Sequence, residues 1–196
     1  MIRLVACILW GAGVVGWYVI RFPHAARAQR IPVRRVSDRI RETVLLTISF
    51  SGLFTVPFVW VVTGWPRAAD YEISPVQLAA GAGVFAGSLW LFARTHRDLG
   101  KNWSVMLELR EQHRLVTGGV YARVRHPMYA AFWLWAFAQA LLLPNFAAGA
   151  AGLAGFGVLY FLRVGREERL MLGTFGSEYH DYMARTGRLI PRRAGR

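Results

Sequence analysis

One cysteine, one lysine and eleven acidic residues are all that this 196-residue sequence holds of three ordinary residue classes. Cys7, alone and inside an apolar run, excludes a disulfide framework and a thiolate metal site, and reads as a packing residue. Lys101 stands beside 23 arginines, and with abundant Ala and Gly this usage suggests a GC-rich bacterial genome. No Gly-rich phosphate loop follows a strand, and no repeat, low-complexity segment or linker sets off a second domain. One integral-membrane domain over residues 1–196 is therefore expected, with three N-terminal spans in 1–93 and a second half in 94–196. His96, His113 and His126 lack the paired spacing of zinc ligands, so no metal is expected.

What the chain has instead is apolar length. Hydrophobic residues make up 55% of it, more than a soluble domain carries, and the excess needs lipid to cover it. Five segments approach the roughly 20 residues a helix needs to cross the hydrocarbon core: about Leu4–Ile20, Thr43–Gly64, Pro75–Ala93, Met128–Leu143 and Phe146–Val164. The reading is an all-α polytopic membrane protein with about five transmembrane helices. Pro144-Asn145 makes the last two a tight helical hairpin, and the short Met128–Leu143 helix can sit toward one face.

A net charge of +13 on a soluble chain would point to nucleic acid, but its distribution here follows topology. Seven basic residues lie in Arg21–Glu42, seven in Arg94–Arg125 and eight from Arg163 onward, leaving only Arg3 and Arg67. The positive-inside rule puts the three blocks and the C-terminus in the cytoplasm, with the N-terminus and the Trp65–Ser74 loop outside. For a bacterial cell that membrane is the inner one, and no nucleic acid is needed to explain the charge. Ala26-Arg27-Ala28 loosely imitates a cleavage site, yet the arginines follow the apolar core instead of preceding it, as in a retained helix.

The chemistry concentrates in the segment from His96 to Tyr129. Gly118-Gly119 signals a turn and Pro127 opens the next apolar span, with Tyr121, Arg125, His126 and Tyr129 gathered around that helix start. Such an end offers unpaired N–H groups suited to a carboxylate of an amino-acid-like ligand. A second constellation, Arg163, Arg166, Glu167 and Glu168, closes the last span, and the i, i+4 pair Arg163/Glu167 shares a face at the rim. It serves equally as a helix-end salt bridge or as part of a site. Met171, Phe175, Tyr179 and Tyr182 then mark a C-terminal amphipathic helix on the membrane surface.

The run LVTGGVYARVRHPMY, Leu115 to Tyr129, followed by REERLMLGTFGSEYHDYMARTGRLIP, Arg166 to Pro191, strongly resembles the isoprenylcysteine carboxyl methyltransferase family. More loosely, it is similar to membrane phospholipid methyltransferases. The resemblance implies a helical membrane enzyme whose cytoplasmic half, 94–196, encloses S-adenosylmethionine and releases S-adenosylhomocysteine, with a lipid-like or prenylated acceptor entering from the bilayer. It implies cofactor contacts from His113, Arg114, Leu115, Val116, Tyr121, His126, Pro127, Met128, Tyr129 and Glu167, and an acceptor-binding role for Arg163. An acceptor carboxylate needs no general base, so no residue is assigned as acid or base. The alternatives are a phospholipid amine or small thiol acceptor, with His126 the first candidate base for an amine, or a non-catalytic membrane protein that retains the fold.

Overall fold

The computed structural model describes the backbone of residues 1–28, 33–36, 38–100, 108–110 and 115–192, and the side chains of residues 1–25, 38–100 and 115–192. Seven α-helices run through these residues: α1 (Ile2–Ala28), α2 (Arg39–Phe50), α3 (Val56–Thr63), α4 (Pro75–Leu99), α5 (Pro127–Leu142), α6 (Phe146–Phe175) and α7 (Ser177–Arg185). A π-helical turn, Ser51–Thr55, fuses α2 and α3 into one rod. Four stretches are long and apolar enough to cross a membrane: Ile2–Ala25, Arg39–Thr63, Pro75–Leu99 and Phe146–Phe175. The five expected spans thus resolve into four long ones and the 16-residue α5. At 1.5 Å per residue α5 is about 24 Å long, short of a hydrocarbon core of about 30 Å. The protein is a multi-pass membrane protein with a short helix sunk against its long ones.

The helix starts are set by local chemistry. Asp38 caps α2 by accepting from the Arg41 N–H at 3.2 Å, Ser74 caps α4 through the Gln77 N–H at 3.1 Å, and Asn145 caps α6 through the Ala148 N–H at 2.9 Å. Asn145 also keeps the α5–α6 hairpin tight, because its Nδ2 donates to Asp70 Oδ1 at 2.7 Å and to the Pro66 carbonyl at 2.8 Å. Asp70 in turn accepts from Trp60 Nε1 at 2.8 Å and Arg3 Nη1 at 3.0 Å. One carboxylate therefore ties α1, α3, the connecting loop and the hairpin together at this end.

The core between the rods is aromatic. Trp135 of α5, 1% exposed, meets Trp17 of α1 and Phe85 of α4 edge-on at ring separations of 6.0 and 4.8 Å, the arrangement favoured by aromatic quadrupoles. Leu4, Ile8, Val15, Val19 and Phe22 of α1, with Phe137 and Phe161, face outward, an apolar surface that lipid covers.

The contact that positions the site is between α2 and α6. A Cβ on Gly52 would lie 2.2 Å from the Ala151 carbonyl oxygen, and one on Gly155 would lie 2.7 Å from the Ile48 carbonyl oxygen, so only glycine permits this approach. Gln139 pins the same place, its Nε2 donating to the carbonyls of Gly52 at 3.0 Å and Ala148 at 2.8 Å. The two helices run antiparallel, which brings the first turn of α2 level with Arg163 in α6.

Two features differ from the sequence reading. Val33–Val36 (β1) and Glu108–Arg110 (β2) pair antiparallel, with an irregularity between Val33 and Arg35. Strands this short and this rich in arginine display no apolar alternation to read, and their pairing sets two of the arginine-rich segments on one side of the bundle. The second concerns the expected C-terminal stripe. α6 continues to Phe175, the chain breaks at Gly176, and only Tyr179 and Tyr182 belong to α7. Those tyrosines are 2% and 3% exposed, so α7 packs its apolar face on protein.

Candidate active site

The site forms where the end of α4, the start of α5 and the last turns of α6 meet. Gly119 adopts a φ of 61°, a left-handed conformation that suits glycine. Asp98, near the end of α4, accepts from the Val120 N–H at 2.9 Å, and this docked turn delivers Tyr121 inward. Tyr182 of α7 donates its hydroxyl to the Tyr121 carbonyl at 2.7 Å. Burial pushes the Tyr182 phenol up to about 12, so it remains a donor at working pH. Burial, and after it the charge of Glu167, pushes the Tyr121 phenol well above its ordinary range.

Between this turn and α5 the backbone is stitched to the C-terminal segment. The N–H groups of Arg125 and His126 donate to the carbonyls of Gly187 and Arg188 at 2.8 and 3.0 Å. His126 occupies the N-cap position of α5 without capping it by its side chain. Its imidazole instead lies between two carboxylates, with Nε2 3.2 Å from Glu168 Oε1 and Nδ1 3.7 Å from Glu167 Oε1. Tyr129, one turn into α5, donates its hydroxyl to Glu167 Oε2 at 2.5 Å, and its ring stacks on His126 with centroids 5.4 Å apart.

The two adjacent carboxylates have different environments. Glu168 is saturated: Arg125 donates Nε and Nη2 to Oε1 at 3.3 and 3.2 Å, and Arg188 donates Nε to Oε1 at 3.1 Å and Nη2 to Oε2. The Glu168 carboxylate in turn raises the pKa of the Arg188 guanidinium. Glu167 keeps 29% of its side chain exposed, so it is the more accessible member of the pair.

Arg163 stands one turn before Glu167 on α6 and is 7% exposed. The i, i+4 spacing suggested a rim pair with Glu167. The structure sets its Nε 3.2 Å from Glu42 Oε2 on α2, because the close α2–α6 crossing brings a carboxylate to it from another helix. The charges of Glu167, Arg163 and Glu42 all act on the Tyr129 phenol, so these four side chains form one electrostatic unit.

Of the expected site residues, Tyr129, Arg163 and Glu167 belong to this unit, His126 stacks against it and Tyr121 lies buried within reach of the Glu167 charge, with Pro127 buried and Met128 half-buried at the first turn of α5. Leu115 and Val116 are half-buried in the segment leading to the turn. His113 and Arg114 lie outside the described residues. Among the described residues no group of three or more metal-ligating side chains occurs. Of three further participants, Glu168 appeared in the sequence reading only as a member of the Arg163–Glu168 constellation, and Arg188 and Glu42 had no role in it. Glu168 stood next to Glu167 and Arg188 within the matching run, whereas Glu42 offered no signal beyond being an acid at the start of a span.

Residues 82–173 match the Isoprenylcysteine carboxyl methyltransferase (ICMT) family. The chain is similar to that family over this stretch. It is 35% identical over 81 residues to the Protein-S-isoprenylcysteine O-methyltransferase of Schizosaccharomyces pombe, covering 41% of this chain and 34% of that protein. With the protein of that name from Rattus norvegicus it is 33% identical over 182 residues, covering 90% of this chain and 64% of the relative. The solved structure of the eukaryotic intramembrane Ras methyltransferase ICMT superposes with a TM-score of 0.53 at 26% identity, covering 80% of this chain and 54% of that one. The chain thus spans between about a third and just under two thirds of the length of these relatives.

Proposed function

We propose that the chain is an integral-membrane methyltransferase that takes a methyl group from S-adenosylmethionine and places it on the carboxylate of an isoprenylcysteine-type acceptor entering from the bilayer. The observation that carries this reading is the unit of Glu167, Tyr129 and His126 at the start of α5, with Arg163 beside it. The domain organisation follows, with residues 94–196 as the cofactor-binding half of a single domain. So does the orientation, with the arginine-rich segments and the site in the cytoplasm and the N-terminus outside. The arginine, alanine and glycine usage favours a bacterial inner membrane.

The residues present fit the donor. Glu167 is a half-buried carboxylate able to pair with an ammonium or accept from ribose hydroxyls, the tyrosine faces attract a cation by about 0.5–2 kcal/mol, and the α5 start lacks a side-chain cap and so offers N–H groups to a carboxylate. His113, Arg114, Leu115, Val116, Tyr121, His126, Pro127, Met128, Tyr129 and Glu167 would hold it. When bound, it supplies a methyl group on an electrophilic sulfonium.

The remaining work falls to this chain's side chains. Glu168 fixes His126 through Nε2, which aims Nδ1 at Glu167, and Tyr129 holds the other Glu167 oxygen. Arg163 binds and orients the acceptor carboxylate, which is already ionised at neutral pH. Alignment of two bound partners is worth about 7–11 kcal/mol, so no acid or base is required. The buried cation Arg163 favours this anionic acceptor over an amine.

The test is calorimetric titration of S-adenosylmethionine and S-adenosylhomocysteine into detergent-solubilised protein. Wild-type protein binds both, Glu167→Ala loses both, and Arg163→Ala binds both but loses turnover of a prenylcysteine. Absence of binding to the wild type, or equal binding by Glu167→Ala, would overturn the assignment.

A further inference from the structure

Glu42 is 1% exposed in the first turn of α2 and lies outside the family match, which begins at residue 82. Its carboxylate touches Arg163 by charge only. Although Arg163 Nε is 3.2 Å away, neither Glu42 oxygen accepts a hydrogen bond among the described residues. A buried carboxylate without a hydrogen-bond donor is costly, and the structure holds it in place firmly. Arg41, its neighbour, donates Nη2 to the Leu162 carbonyl at 2.7 Å, and Gly52 and Gly155 bring the backbones of α2 and α6 together along the same contact. The orphan acceptor is therefore fixed beside the cation that the proposed function assigns to the acceptor.

The charge balance adds a second argument. Arg163 and Glu42 together are neutral, so a bare carboxylate approaching Arg163 also meets the like charge of Glu42. An acceptor that carries an N–H donor next to its carboxylate removes this conflict, giving its oxygens to Arg163 and its N–H to Glu42. Resting on the acceptor reading above, we infer that Glu42 is a specificity-determining residue: it selects an acceptor with an amide or ammonium N–H on the carbon that bears the carboxylate.

The test compares N-acetyl-S-farnesylcysteine with its depsi analogue, in which an ester oxygen replaces the amide N–H at nearly constant shape. Affinities are measured by calorimetry on solubilised wild-type protein, Glu42→Gln and Glu42→Leu. The wild type prefers the amide by about 10- to 100-fold, the value of one hydrogen bond to a buried charge. Glu42→Gln reduces the preference and Glu42→Leu abolishes it. Equal affinity of the wild type for the two ligands overturns the inference without recourse to any variant, as does an unchanged preference in the folded variants. Equal losses for both ligands on substitution make Glu42 a structural pin and likewise overturn it. Binding of neither ligand by the wild type overturns the acceptor class, and this inference with it.

Discussion

Glu167 and Glu168 are neighbours of the same chemistry, and what separates their roles is the number of donors each one faces. Glu168, with 6% of its side chain exposed, is surrounded by Arg125, Arg188 and His126. Removing it strands Arg125, whose side chain is 9% exposed, and an uncompensated buried charge costs about 3–5 kcal/mol. Arg188 is 46% exposed, and exposed ion pairs are worth about 0–1 kcal/mol. Glu168→Ala should therefore lower the thermal midpoint far more than Arg188→Ala, and it should weaken S-adenosylhomocysteine binding by releasing His126 and the carbonyl-stitched segment around it. Similar midpoints for the two variants in detergent melts would refute this account. The sequence made Glu167 and Tyr129 legible, because both sit in motifs at a recognisable separation. Glu42 stayed hidden for a physical reason: its partner is on another helix, and nothing in the local pattern of α2 encodes a contact made across the bundle.

At the scale of elements, hydropathy located the rods well but not their joints. The apolar length of Thr43–Gly64 reads as one helix, and one rod over Arg39–Thr63 is what forms, yet the π turn at Ser51–Thr55 leaves no trace in periodicity. This turn sits where Gly52 meets α6, as π-bulges often sit near functional contacts. The α2–α6 crossing is then the element that transmits packing to chemistry, since Arg163 lies roughly two turns from Gly155. Gly155→Leu should push α2 off α6, an overpacking cost of about 1–3 kcal/mol, and separate Glu42 from Arg163. Gly83 is the control, because a Cβ there meets nothing within 4 Å, so Gly83→Leu should leave the melting midpoint and prenylcysteine turnover near wild type. Equal effects of the two substitutions would show that the crossing does not set the site.

At the scale of the whole molecule, two clusters of charged side chains lie at two levels along α6. One is the Asp70–Asn145–Trp60–Arg3 cluster at its start, the other the Glu167–Glu168 cluster near its end. Between Asn145 and Glu168 the helix rises about 34 Å, close to the thickness of a hydrocarbon core of about 30 Å. The two clusters are therefore spaced to suit the two faces of a membrane, and the proposed orientation puts the Glu167–Glu168 face in the cytoplasm. A donor made in the cytoplasm can reach the proposed site only if this assignment holds. Single-cysteine variants in a Cys7→Ser background separate the outcomes. Ala68→Cys, exposed in the loop at the Asp70 level, should react with an impermeant maleimide on intact cells, whereas Glu178→Cys, exposed on α7, should react only after permeabilisation. The reverse pattern would place Glu167 on the outer face, where positive-inside asymmetry and the proposed methyl donor could not both apply.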